Sequence, residues 1–236
     1  MNEIAPENKR TRQKEISNRF ISRPVDFLIK HNFTPNKLSF IGLTLTIIAS
    51  FLIAIKWMYI SIWMSWMVPF FLGLAGAFDL FDGEVARRTE KKTQTGAFLD
   101  SILDRFSDAI LILGLIYGGL INYLLGFSIL FLVIMISYIR SRAENEGVDM
   151  KGIGFMERAE RILFLEFSII IELSFYFITL LVLGDPLTIF NPFITRVPVT
   201  PIFLIAIIIL TFTLIYTVLQ RLIFTFKTLN ANKESI

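Results

Sequence analysis

The sequence predicts an all-α integral membrane protein: six transmembrane helices preceded by an N-terminal amphipathic helix at the membrane interface. Three observations lead there. Of 236 residues, 54% are hydrophobic and 14% aromatic, more apolar surface than a soluble domain of this length carries. Apolar runs long enough to span a bilayer recur at about residues 38–56, 60–82, 97–119, 121–141, 158–183 and 199–226. Basic residues crowd into alternate connections, the pattern that orients helices in a membrane.

Along the chain, residues 1–37 form a polar N-terminal segment, too polar for the apolar core of a secretory signal. Within it, residues 14–31 mix Ile16, Phe20, Phe27 and Leu28 with Lys14, Arg19, Arg23 and Lys30, the composition of a helix lying in the interface. His31, the one histidine, has no histidine partner and reads as structural. Pro35 and Asn36 mark the break before a membrane domain over residues 38–228, and residues 229–236 form a tail. Asn122 and Tyr123 sit in a turn, and Gly184, Asp185, Pro186, Asn191, Pro192 and Pro198 make the longest loop.

Of the 23 Lys and Arg residues, only Lys56 and Arg196 fall on the side opposite the others. Both termini and the connections after the second and fourth spans are therefore expected on the cytoplasmic side. A net charge of +3 on such a protein is no argument for nucleic acid, and the lack of cysteine excludes disulfide and thiol chemistry.

The chemistry concentrates in residues 79–104, which read D-x-x-D-G-x-x-A-R, eight residues, then G-x-x-x-D-x-x-x-D. Interfacial pairing with Arg or Lys would account for one aspartate, but not for this spacing. On helices, Asp79 and Asp82 share a face at i, i+3, and Asp100 and Asp104 share one at i, i+4. Two such helices packed together would gather four carboxylates, an all-oxygen cage for hard divalent cations. Gly83 and Ala86 remove bulk where a flat ligand could slide against the helix, and Gly96 opens the start of the next. Arg87 offers a forked donor suited to phosphate.

With these residues the chain resembles the CDP-alcohol phosphotransferases, whose signature it matches at Asp79, Asp82, Gly83, Ala86, Arg87, Gly96, Asp100 and Asp104. The resemblance implies a six-helix, usually homodimeric enzyme that displaces CMP from a CDP-linked lipid with an alcohol. It implies that Asp79, Asp82 and Asp100 bind two divalent ions, Mg²⁺ or Mn²⁺. Asp104 would complete that site and act as general base on the acceptor hydroxyl. The CDP pocket would be made by Asp79, Asp82, Gly83, Ala86, Arg87 and Gly96.

A second constellation holds Ser137, Tyr138, Arg140, Arg142, Ala143 and Glu144, then Gly147, Gly152 and Gly154, then Glu157, Arg158, Glu160 and Arg161. Arg158 and Arg161, a turn apart at the start of a helix behind a glycine-containing loop, suit an anion. Positive-inside charge and Glu157–Arg161 pairing are the plainer explanation. S-Y-I-R-S-R-A-E followed by E-R-A-E-R, with Gln220, Arg221 and Leu222 near the end of the last helix, is similar to the branch that makes phosphatidylinositol phosphate or its archaetidyl counterpart. That branch condenses a CDP-linked lipid with inositol phosphate. It implies an acceptor-phosphate cluster at Arg140, Arg142, Arg158, Arg161 and Arg221.

Glycerol 3-phosphate would need the same cluster, whereas serine or free inositol would not. A divalent-cation transporter, the reading from another class, has no use for Arg87 or for the arginines of the fourth connection, and no internal repeat is visible. Asp108, one turn beyond Asp104, reads as a support for the acidic site or a packing residue, and Glu166 and Glu172 receive no chemistry.

Overall fold

The computed structural model describes residues 21–90 and 93–234. Residues 21–30 are helical (α1), followed by α2 (Pro35–Ala54), a 3-10 turn (Trp57–Tyr59), α3 (Ile62–Ser65) and α4 (Met67–Arg88). Then come α5 (Gln94–Tyr117), α6 (Tyr123–Asn145), α7 (Arg158–Leu183) and α8 (Pro201–Glu234). Among the described residues the only β pairing is the isolated bridge Ile189–Val199.

Short polar side chains set several helix starts by accepting the first free amides. Thr34 accepts from Lys37 N at 3.4 Å, with Pro35 as the first residue of α2. Thr93 accepts from Gly96 N at 2.9 Å ahead of α5, and Asn122 from Leu124 N at 2.7 Å ahead of α6. Gly184, at φ 83°, takes the left-handed conformation that ends α7.

Among the described residues six helices have 20 residues or more, and those predicted near 60–82 and 199–226 run on to Arg88 and Glu234. The first extension places the whole stretch Asp79–Arg87 on α4. Five stretches among the described residues are long and apolar enough to cross a membrane: Pro35–Ala54, Ile62–Arg88, Tyr123–Asn145, Arg158–Leu183 and Pro201–Ala231. The third expected span, α5, is 24 residues long but carries Asp100, Asp104, Arg105 and Asp108. Those charges set it apart from the other five. Of the expected interfacial helix, residues 14–20 lie outside the described residues, as do Lys91 and Lys92; α1 buries Val25 and Leu28 and leaves Phe27 exposed.

The described chain forms two compact units. One comprises residues up to Leu45 together with Leu74–Asp104. Its core is Val25, Leu28, Leu38 and Val85, with Phe33, Phe78 and Phe81 packed around them. The other comprises Thr46–Gly73 and the residues from Arg105 onward. Its larger core runs through Ile53, Leu72, Leu115, Ile129, Leu165, Ile169 and Phe203. Within it, α5 meets α2 so closely at Gly114 that a Cβ there would lie 2.7 Å from the Ser50 carbonyl oxygen. Glu172, fully buried, accepts from Tyr59 Oη at 2.7 Å, from Thr200 N at 3.1 Å and from the Thr200 hydroxyl. Burial, and next the Glu172 charge, push the Tyr59 phenol well above its ordinary range, so it stays a donor.

Candidate active site

Helix α4 and the start of α5 bring three carboxylates together. Oxygens of Asp79, Asp82 and Asp100 lie within 4.8 Å of one another. Asp82 is buried and Asp100 exposed. Ser39 on α2 donates to Asp82 Oδ2 at 2.6 Å and fixes that side chain. Asp104 is not among the carboxylates that meet at this spacing, although it too has a polar interaction. It follows Asp100 by four residues on α5, about 6 Å of helical rise.

Three like charges this close, one of them out of water, repel unless cations or protons neutralise them. The donor set is all oxygen and contains no histidine or thiolate, so it fits hard divalent ions. The residues present therefore have the chemistry of a divalent-metal site.

Beside the trio is a cavity of about 480 Å³. Asp82 and Asp100 form part of its wall, with Gly83, Ala86, Arg87 and Gly96. The remaining lining, Pro35, Asn36, Ser39, Thr93 and Ala97, is absent from the site expected from sequence. A cap signal at Thr34–Pro35 marks where α2 begins, but nothing local says that its first turns reach this cavity. Asp79, expected among the CDP-binding residues, belongs to the trio and not to the cavity wall. A Cβ built on Gly83 would meet no atom within 4 Å, so the missing side chain leaves open room at the wall. Arg87 is largely exposed and pairs with Glu84 on the same helix. Arg88 bonds both Glu84 and Asp26 at 2.8 Å, tying α4 to α1.

The five arginines expected to hold an acceptor phosphate divide by burial. Arg140 and Arg142 are on the surface of α6 and pair with Glu144, at 2.9 Å, and with Glu146. Arg158 is one-quarter exposed at 25%, with Nε 3.9 Å from Asp108 Oδ1. Arg161 is buried, and its Nη2 donates to Asp108 Oδ2 at 2.5 Å. Arg161 pairs with Asp108 where the sequence suggested Glu157.

Arg221 is also buried. Its Nε donates to the Ile153 carbonyl at 2.9 Å and its Nη1 to the Ile136 carbonyl at 2.7 Å. Gly154, at φ 138°, lies under this guanidinium: a Cβ there would come 2.9 Å from Nε and Nη2. The guanidinium therefore staples the glycine-containing loop to the second half of α6, a role that sequence alone does not disclose. Glu166 lies against Gly73, whose Cβ would come 2.9 Å from Glu166 Oε1, and Glu172 serves the Tyr59–Thr200 network.

The profile of the CDP-alcohol phosphatidyltransferase family matches residues 32–226. An archaetidylinositol phosphate synthase of Methanothermobacter thermautotrophicus is 47% identical over 92 residues, which are 39% of this chain and 47% of that one. The chain thus spans about half the length of that curated relative. An uncharacterised protein of Aquifex aeolicus is 38% identical over 173 residues, 71% of this chain and 84% of the relative. In fold, the chain is similar to crystal structures of Mycobacterium tuberculosis phosphatidylinositol phosphate synthase. With CDP-DAG bound, that protein matches at TM-score 0.66 and 22% identity, over 88% of this chain and 94% of its own. With manganese and citrate, it matches at the same score. Five apolar helices of membrane-crossing length and the extent of the profile match lead to one conclusion. The chain is an integral membrane protein and belongs to the CDP-alcohol phosphatidyltransferase family.

Proposed function

We propose that this protein transfers a phosphatidyl-type group, diacylglycerol phosphate or archaeol phosphate, from a CDP-linked lipid to a hydroxyl of inositol phosphate, releasing CMP. The observation that carries the reading is the trio of Asp79, Asp82 and Asp100, two of whose members form the wall of a cavity together with Gly83, Ala86, Arg87 and Gly96. The relatives named as archaetidylinositol phosphate synthases and the fold shared with a phosphatidylinositol phosphate synthase support the choice of acceptor.

In this reading Asp79, Asp82 and Asp100, with Asp104, hold two Mg²⁺ or Mn²⁺ ions. Such ions, when bound, neutralise pyrophosphate oxygens and the charge that builds on departing CMP. Ser39 keeps Asp82 turned toward its partners through the 2.6 Å hydrogen bond. The open wall at Gly83 and Ala86 admits the nucleotide, and Arg87 exchanges Glu84 for a phosphate oxygen. Asp104 takes the proton of the acceptor hydroxyl as its oxygen bonds to the lipid-linked phosphorus and the bond from that phosphorus to the CMP oxygen breaks. A carboxylate base of this kind is typically worth ~10²–10⁴-fold in rate.

Arg140, Arg142, Arg158, Arg161 and Arg221 form the acceptor-phosphate region. Arg140, Arg142 and Arg158 are reachable from solvent, while Arg161 and Arg221 hold the frame behind them. The asymmetry of Lys and Arg supports a cytoplasmic side for both termini and the catalytic residues, where a soluble acceptor and CMP exchange with water. The protein works as a homodimer in this reading, with the donor's tails remaining in the bilayer.

The test is CMP release in membranes. CDP-diacylglycerol or CDP-archaeol is supplied with inositol phosphate, glycerol 3-phosphate, serine or inositol in turn. Inositol phosphate should give the fastest release, and release should stop in excess chelator. Preference for glycerol 3-phosphate would keep the reaction and replace the acceptor. Full activity in chelator would overturn the mechanism.

A further inference from the structure

Asp108 has no place in the family signature or in the mechanism above. It is 7% exposed. A buried carboxylate in a membrane protein needs a reason, because its desolvation is costly without a partner. Its partners are the two arginines that open α7. Oδ2 accepts from Arg161 Nη2 at 2.5 Å, and Oδ1 stands 3.9 Å from Arg158 Nε.

The void beside the pair, walled by Leu111, Val133, Ile162 and Leu165, is about 10 Å³. That is room for one water at most, so the pair is closely enclosed. Arg161 is 2% exposed and its Nη1 makes no hydrogen bond among the described residues. It is thus too enclosed to meet a soluble ligand directly. Arg158, three residues earlier on the same helical face and one-quarter exposed, is the member of the pair that a ligand can reach.

We propose that Asp108 is the positioning residue of the acceptor site: through Arg161 it locks the first turn of α7, and through its second oxygen it aims Arg158 at the acceptor's phosphate. This rests on the acceptor reading given above and assigns Asp108 no contact with substrate. Two effects of the carboxylate oppose each other, and the geometry decides between them. Its charge weakens the pull of Arg158 on a phosphate. Its position removes the conformational freedom of a long side chain that would otherwise be ordered at each binding event. At 3.9 Å from Nε, Asp108 attracts the Arg158 guanidinium by charge from beyond hydrogen-bond distance of that nitrogen. Positioning therefore wins, and losing the carboxylate weakens acceptor binding.

The experiment is acceptor and donor kinetics, with thermal unfolding, for Asp108→Asn, Asp108→Glu, Arg158→Ala and the Asp108→Asn/Arg158→Ala double variant. Asp108→Glu keeps the charge that Arg161 needs while displacing it by one methylene, so it serves if Asp108→Asn does not fold. Both single Asp108 variants should raise the KM for inositol phosphate roughly tenfold, the equivalent of one charge-assisted hydrogen bond, with the CDP-lipid KM near wild type. The double variant should be no worse than Arg158→Ala alone, since Asp108 acts through that side chain. A stable Asp108 variant with unchanged or lowered acceptor KM overturns the proposal, as do multiplying effects in the double variant or an equal rise in the CDP-lipid KM. If Arg158→Ala raises the acceptor KM while Asp108→Asn does not, this inference fails alone. If Arg158→Ala leaves it unchanged, the acceptor reading fails and takes this inference with it.

Discussion

Replacing Asp82 with asparagine should stabilise the protein in chelator and abolish its stabilisation by divalent cations. At 4.8 Å, the widest separation within the trio, two full charges repel by ~3.5 kcal/mol at an effective dielectric of about 20. Asp82 faces two such neighbours, of which Asp100 is exposed, so water screens much of that repulsion. A net gain of ~1–3 kcal/mol is left for the neutral side chain in the absence of metal. Asparagine keeps an oxygen for the Ser39 hydroxyl, so the 2.6 Å hydrogen bond does not confound the comparison. For a chain of this size each kcal/mol moves the unfolding midpoint by roughly 2–4 °C. The assay is thermal unfolding in detergent for wild type and Asp82→Asn, each in chelator and across a titration of Mg²⁺ or Mn²⁺. Wild type should start lower and rise with cation; the variant should start higher and stay flat. A variant that begins lower in chelator and still gains as much from cation as wild type would refute the reasoning, since the trio would then neither suffer from its charge nor hold the metal.

Three further outcomes test other parts of the site. Asp104→Asn should cut turnover by ~10²–10⁴-fold while keeping the cation-induced rise in unfolding temperature; wild-type turnover would remove Asp104 from its role as base. Gly83→Leu should unfold at the wild-type temperature, because a Cβ there meets nothing within 4 Å. It should nonetheless raise the CDP-lipid KM, by roughly tenfold for each 1.4 kcal/mol by which the added bulk weakens donor binding. An unchanged donor KM would mean that the cavity is not the nucleotide's. Gly154→Ala should lower stability by ~1–3 kcal/mol, since its Cβ would press to 2.9 Å on the Arg221 guanidinium at a φ of 138°; a variant with the wild-type unfolding temperature would show that Arg221 does not staple this loop.

What the sequence discloses about this site follows the reach of its interactions along the chain. The signature over residues 79–104 occupies two successive helices and the short connection between them. Helical periodicity sets Asp79 and Asp82 on one face of α4, and the packing of two helices so close in sequence brings Asp100 to them. Asp104 shares a helix face with Asp100, four residues and about 6 Å of axial rise further along α5. The hydroxyl that fixes Asp82 comes from 43 residues away, the partner of Arg161 from 53, and the Ile136 carbonyl held by Arg221 from 85.

No periodicity encodes such pairings. A sequence shows that Arg158 and Arg161 are cations behind a glycine-containing loop and that Arg221 is a cation near the end of the last helix, and an anion site is the economical reading of that composition. Burial then separates them. A guanidinium at 3% exposure with two main-chain carbonyls as acceptors organises a loop, whereas one at 25% has a face to offer a ligand. Fold packing, not composition, thus sets how far each of these cations is open to solvent. Asp108 is the buried charge that two of them share: it holds Arg161 at 2.5 Å and stands 3.9 Å from Arg158, a turn apart on α7.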